Sequence, residues 1–181
     1  MEFINIEIKA RTKSTEAIRQ YLLDNGAVHH GTDEQTDTYF NISRGRLKLR
    51  EGKVENNLIF YSRPDLPGIK QSDVELLSTE RESNLKSVLT KALGVKTCVK
   101  KIREIYYIGN IKFHLDTLEG LGSFVEIEAS NQFQNYSSNE LRHQCEHYLK
   151  EFNIETSDLI NHSYSDMMIQ KKDRNYGFFG E

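Results

Sequence analysis

CVKKIREIYYIGNIKFHLDTLEGLGSFVEIE, residues Cys98–Glu128, reads as three consecutive β-strands joined by tight turns. Charge sits inside the strand pattern. Lys101 and Arg103 alternate with Ile102. Lys112, His114 and Asp116 alternate with Ile111, Phe113 and Leu115, and Glu126 and Glu128 with Val125, Ile127 and Ala129. Successive side chains of a strand point to opposite faces, so each strand carries one apolar and one charged face. In a single strand a solvated outer face explains such alternation. Repetition in distant strands, with cations on some and carboxylates on others, is not what solvation alone produces.

That repetition is present. Ile4-Asn5-Ile6-Glu7-Ile8-Lys9-Ala10 alternates strictly, with Asn5, Glu7 and Lys9 on one face. Arg46, Lys48 and Arg50 alternate with Leu47 and Leu49, and Leu58–Arg63 places Tyr61 and Arg63 in phase. Gln35–Asn41 and Lys70–Leu77 complete eight strands, and the loop between Arg63 and Gly68 holds both prolines. Three amphipathic helices are expected. Ser14 caps one that carries Ala17, Ile18, Tyr21 and Leu22 and closes at Gly26. A Thr79–Glu82 capping box precedes Leu85, Val88, Leu89, Ala92 and Leu93, and a Ser137–Glu140 box precedes Leu141, Cys145, Tyr148, Leu149 and Phe152. His29 and His30 fall in the connection after the first helix, and His143 and His147 read as a solvated pair.

The bulk numbers bound the answer. The 181 residues suit one domain over 1–170, with a polar tail at 171–181. A net charge of −3 argues against a general nucleic-acid binder, so any anion site is a local concentration of cations. Cys98 and Cys145 have neither zinc spacing nor a disulfide framework, which suits a reduced, cytoplasmic setting. No apolar run reaches the length of a membrane span, and the start lacks a signal-peptide pattern. The sequence sets no oligomeric state; monomer and dimer are both open.

Eight antiparallel strands suffice to close a barrel, which gives an α+β fold with the helices packed outside. Closure turns the charged faces inward and leaves the isoleucines and leucines outside for the helices to cover. Lys9, Arg46, Lys48, Arg50, Arg63, Lys101 and Arg103 then surround the lumen. Arginine forks and lysine point charges suit phosphate, and this number of cations suits a chain of phosphates better than a lone carboxylate. Glu7, Glu126 and Glu128, with Asp116 in phase nearby, supply the hard oxygens that Mg²⁺ or Mn²⁺ accepts when it shares its sites with phosphate and water. Together they suggest a metal–triphosphate complex.

The same residues carry a resemblance. Asn5-x-Glu7-x-Lys9 resembles the ExExK signature of the CYTH superfamily, the triphosphate tunnel metalloenzymes. Arg46-x-Lys48-x-Arg50, Lys101-x-Arg103, His114-x-Asp116 with Glu119-Gly120-Leu121-Gly122, and Glu126-x-Glu128 resemble its later motifs in order. Ser163-Tyr164-Ser165-Asp166 extends the match to about residue 168. Arg103 to Glu126 looks most like bacterial class IV adenylate cyclases. The resemblance implies an eight-stranded tunnel that binds a triphosphate such as ATP, thiamine triphosphate or tripolyphosphate through its basic lining. It also implies a divalent metal on the glutamates, and Lys9, Arg103 and Asp116 as catalytic candidates. The implied reaction is adenylate cyclase-like, with a triphosphatase or a non-catalytic polyphosphate binder as alternatives. Where the signature has its first Glu, this chain has Asn5, a poorer metal ligand. The expectation is one metal on the free protein, and any second arriving with the triphosphate.

Overall fold

The computed structural model describes residues 2–62 and 70–176. Eight strands are present: β1 (Glu2–Arg11), β2 (Val28–Phe40), β3 (Arg46–Glu51), β4 (Asn57–Ser62), β5 (Lys70–Ser78), β6 (Val95–Ile108), β7 (Ile111–Leu118) and β8 (Gly122–Ser130). They close into an antiparallel barrel in the order β1-β5-β4-β3-β2-β6-β7-β8. The helices are α1 (Thr15–Asp24), α2 (Leu85–Leu93), α3 (Ser138–Glu151) and α4 (Tyr164–Tyr176).

Alternation fixes which face goes where. Ile6, Ile8 and Ala10 of β1, Phe113 and Leu115 of β7, and Val125, Ile127 and Ala129 of β8 point outward. There Ile18 and Leu22 of α1 and Leu141, Cys145 and Tyr148 of α3 cover them. Each large side chain so buried contributes about 1.5–3 kcal/mol. Ser14 caps α1 through the Ala17 amide at 3.2 Å, and Ser137 and Glu140 form the expected capping box on α3. Elsewhere the outer face is less covered: Phe60 is 36% and Leu77 60% exposed.

Four expectations change. His29 and His30 lie within β2, which starts at Val28 and is longer than the sequence pattern showed. Their rings lie against Tyr106 and Tyr107 respectively. The Thr79–Glu82 box does not start α2. The Thr79 amide bonds to Asn56 O at 2.9 Å, which extends the sheet, and the helix begins at Leu85 behind Asn84. α2 buries no side chain fully, and its Val88 is 51% exposed. The fourth helix, α4, was not expected and runs across the boundary drawn at residue 170. Its start was readable, because Ser163 and Asp166 cap it reciprocally, Asp166 N to Ser163 Oγ and Ser163 N to Asp166 Oδ2, both at 3.2 Å. Phe178 and Phe179 of the expected tail lie outside the described residues.

Candidate active site

The barrel encloses a cavity of about 350 Å³. Cross-strand register builds its charged wall row by row. Glu7 lies opposite Glu128 and Lys9 opposite Glu126, while on the other side of β8 Glu128 faces Lys112 and Glu126 faces His114. Arg103 pairs with Asp116 across β6–β7 and with Asp33 across β2–β6. Asp37 is opposite Arg50, and Tyr39 opposite Lys48. The inward faces anticipated for β1, β3, β6, β7 and β8 therefore share one space.

Within it Arg103 is 2% exposed and forks onto Asp116, Nε to Oδ1 at 2.6 Å and Nη2 to Oδ2 at 2.5 Å, and reaches Glu126 Oε2 at 2.6 Å. Burial disfavours the cation, but Asp116 and Glu126 overcome that and hold the guanidinium well above its ordinary value. Tyr164, at the start of α4, donates to Asp116 Oδ2 at 2.9 Å. Lys9 lies 3.6 Å from the centroid of that tyrosine ring and 2.8 Å from Glu126 Oε1. Glu126 also meets His114 Nδ1 at 3.1 Å. Against the cost of burial, Lys9 and Arg103 keep its carboxyl well below the usual range. Burial, reinforced by Arg103, lowers the His114 pKa.

The cations on β3 and β6 meet carboxylates that the sequence reading did not assign. Asp37 is 1% exposed and accepts Lys48 Nζ at 3.3 Å, Arg50 Nε at 2.9 Å and Nη2 at 3.1 Å, and Lys101 Nζ at 2.9 Å. Burial opposes its charge, yet Arg50, Lys101 and Lys48 hold it well below the usual carboxylate range. Lys101 moves the other way. Burial and the neighbouring Arg103 bring its ammonium from 10.5 down to about 7 against the pull of Asp37, which it shares with two other cations.

Glu55 is the second missed acid. It accepts from Arg50 Nη1 at 2.9 Å, from Gln35 at 3.0 Å and from Lys112. It comes from the loop between β3 and β4, which Asp33 shapes by accepting the Lys53 amide at 2.6 Å and the Glu55 amide at 3.0 Å. A Cβ at Gly52 would collide with that Asp33 carboxylate, so glycine there permits the close approach. Alternation along β2 was the signal for Asp37. For Glu55, a loop residue, there was none.

Among the described residues the lining joins six basic side chains, Lys9, Lys48, Arg50, Lys101, Arg103 and Lys112, to five carboxylates, Glu7, Asp37, Glu55, Glu126 and Glu128, with Asp116 behind Arg103. The guanidinium carbon of Arg46 lies 5.9 Å from the centroid of the Tyr61 ring, which lines the cavity. Arg46 also lies toward α4, where Nη2 is 3.3 Å from Asp166 Oδ2, and borders a smaller cavity with Ser165 and Lys96. Arg63 lies outside the described residues. A metal fits the acidic side, because ligand atoms of His114, Glu126 and Glu128 all lie within 4.8 Å of one another and two are carboxylate oxygens. Glu7 lines the same cavity. Asn5 lines it too, one row further along β1, where its cross-strand neighbours are the neutral Ser72 and Ser130.

The remaining wall is apolar. Ile59 and Tyr61 of β4 and Val74 of β5 cluster with Phe3, and Leu76 continues the strip. At that end the lining passes to Asn57, Asn110, Gln134 and Phe133, the last 82% exposed; at the other, Ser163, which caps α4, and Tyr164, its first residue, contribute.

Comparison with known proteins agrees with this architecture. The family model described as CYTH domain matches residues 4–164. A Methanocaldococcus jannaschii protein provisionally named as an adenylate cyclase is 29% identical over 174 residues, covering 91% of this chain and 98% of that one. The PH1012 protein of Pyrococcus horikoshii superposes with a TM-score of 0.73 at 22% identity, covering 90% of this chain and 98% of that chain. A Hippeastrum protein, provisionally named as an adenylyl cyclase and described as having a dominant triphosphatase activity, superposes with a TM-score of 0.57. It is 16% identical, with 84% of this chain and 88% of that chain covered.

Proposed function

Because the chain belongs to the CYTH domain family, we propose that it is a divalent-metal-dependent enzyme acting on an organic triphosphate, converting ATP to cyclic AMP and pyrophosphate. The observation that carries this reading is that one cavity joins a wall of cations and carboxylates to an apolar strip of Phe3, Ile59, Val74 and Leu76. An inorganic polyphosphate has no use for the strip. A planar heteroaromatic group does, and the amides of Asn57, Asn110 and Gln134 beside it suit ring nitrogens and ribose hydroxyls.

In this reading Lys48, Arg50 and Lys101 hold the phosphates from one side, and Lys9 and Lys112 from the other. Arg103 orients Glu126 and adds positive field where the pyrophosphate departs. Asp116 and Tyr164 position Arg103, and Asp116 acts through that side chain without touching substrate. Glu126, Glu128 and His114, with Glu7 across the ladder, would hold Mg²⁺ or Mn²⁺. The metal would polarise a phosphoryl oxygen there. Tyr164 and Ser163 exclude water from the α4 end.

The second reading is hydrolysis of the terminal phosphate, as the description of the Hippeastrum protein suggests. The two differ in the nucleophile, a ribose hydroxyl at the α-phosphorus or water at the terminal one. The test is incubation with ATP, thiamine triphosphate and tripolyphosphate plus Mg²⁺ or Mn²⁺, with product identification. Cyclic AMP and pyrophosphate from ATP establish the first reading, and orthophosphate with the matching diphosphate, without cyclic AMP, the second. No turnover of any of the three overturns both.

A further inference from the structure

Asp37 lies on none of the acidic strands that would hold a metal, yet it is the carboxylate on which three cations converge. Lys48, Arg50 and Lys101 all reach it within 3.3 Å. We propose that Asp37 is a specificity-determining residue. Its fixed negative charge makes the tunnel accept a triphosphate only as its divalent-metal complex and reject the metal-free polyanion. The inference rests on the triphosphate reading above and deepens it.

Among the described residues, Lys48, Arg50 and Lys101 are already engaged with Asp37, so they are not free to receive a bare anion. A metal-free triphosphate brings roughly four negative charges near neutral pH. To bind, it must draw Lys48, Arg50 and Lys101 toward itself. It then leaves a buried carboxylate beside an anion, which is the costly arrangement. Glu55 can escape this, because it sits on a loop with its side chain 12% exposed. Asp37 cannot. It has a short side chain in the middle of β2, paired with β3 on one side and β6 on the other, and 1% of it is exposed. A divalent ion carried in with the phosphates supplies two positive charges, and the three cations can then bridge Asp37 and the phosphate oxygens together.

The measurement is calorimetric binding of ATP in which methylene groups replace both bridging oxygens of the triphosphate. That analogue is titrated into the full chain with excess Mg²⁺ and, separately, with EDTA. The quantity read is the ratio of the metal-free to the metal-complexed Kd. For the unmodified protein a ratio of about 100 or more is expected, and for Asp37→Asn a ratio at least about tenfold smaller, mainly through tighter metal-free binding. Should Asp37→Asn fail to fold, Lys48→Met, whose side chain is 14% exposed, tests the same balance from the opposite side and should raise the ratio several-fold. A ratio near one in the unmodified protein overturns the proposal, as does an unchanged ratio in folded Asp37→Asn or in Lys48→Met. Absence of binding even with Mg²⁺ removes the triphosphate reading itself, and this inference with it.

Discussion

Arg103, Asp116 and Glu126, locked at 2.5 to 2.6 Å, stand across the cavity from Ile59, Tyr61 and Val74, which face the same space with hydrocarbon and a phenol ring. The charged wall is stiff because each buried ion has a partner, and removing one leaves the other without compensation. The apolar wall holds together by packing that is non-directional and tolerant of small changes. Position and chemistry are thus separated: one wall fixes phosphates and metal, and the other accommodates the group that identifies the substrate.

The sharpest break in that contrast is Arg103→Leu. It strands Asp116, which has no exposure, and should cost about 3–5 kcal/mol in denaturant unfolding together with triphosphate binding. Ile59→Val on the opposite wall should cost only about 0.5–1.5 kcal/mol. Equal losses at the two positions would refute the distinction.

Within the charged wall, the two candidate metal ligands should separate. Glu128 has a side chain 23% exposed, whereas Glu126 holds Lys9, Arg103 and His114. Glu128→Gln should weaken Mn²⁺ binding roughly 10- to 100-fold with the melting temperature little changed. Glu126→Gln should lower both. Mn²⁺ titration by electron paramagnetic resonance alongside thermal melting reads the two effects, and Mn²⁺ affinity unaltered by Glu128→Gln would remove that residue from the metal site.

Leu76→Ala probes the apolar wall. Loss of about 1–2 kcal/mol of contact should weaken ATP binding about tenfold and leave tripolyphosphate binding unchanged. If both ligands weaken together, the strip supports the barrel and does not read the organic group.

The smallest effect is a pH dependence. The unfolded chain keeps the Lys101 proton up to about 10.5, while the folded one releases it from about 7. Between those values the unfolded state binds more protons, so this group makes the free protein more stable as pH rises. Triphosphate binding favours the protonated form, so affinity should fall several-fold from about pH 6 to about pH 9, and Lys101→Met should flatten that slope. An equally steep slope in Lys101→Met would assign the proton elsewhere.

Much of this arrangement was legible in the chain, and the boundary of legibility is physical. A strand's period of two decides which face a residue takes, so alternation alone places Glu7, Lys9, Lys48, Arg50, Lys101, Arg103, Glu126 and Glu128 on inward faces, and all eight line the cavity. The same period, with the apolar stripes of α1 and α3, gave the closed barrel with helices outside. What alternation cannot supply is who meets whom. That depends on register and closure across strands distant in sequence, which bring Lys101 to Asp37 over 64 residues and Lys112 to Glu55 over 57. The same closure takes Arg46 to the α4 end and collects Phe3, Ile59 and Val74 into a wall that none of their own strands announces. Sequence determined a charged interior. Tertiary structure decided which of those charges answer one another, as Asp37 answers Lys48, Arg50 and Lys101, because only packed side chains show who is paired with whom.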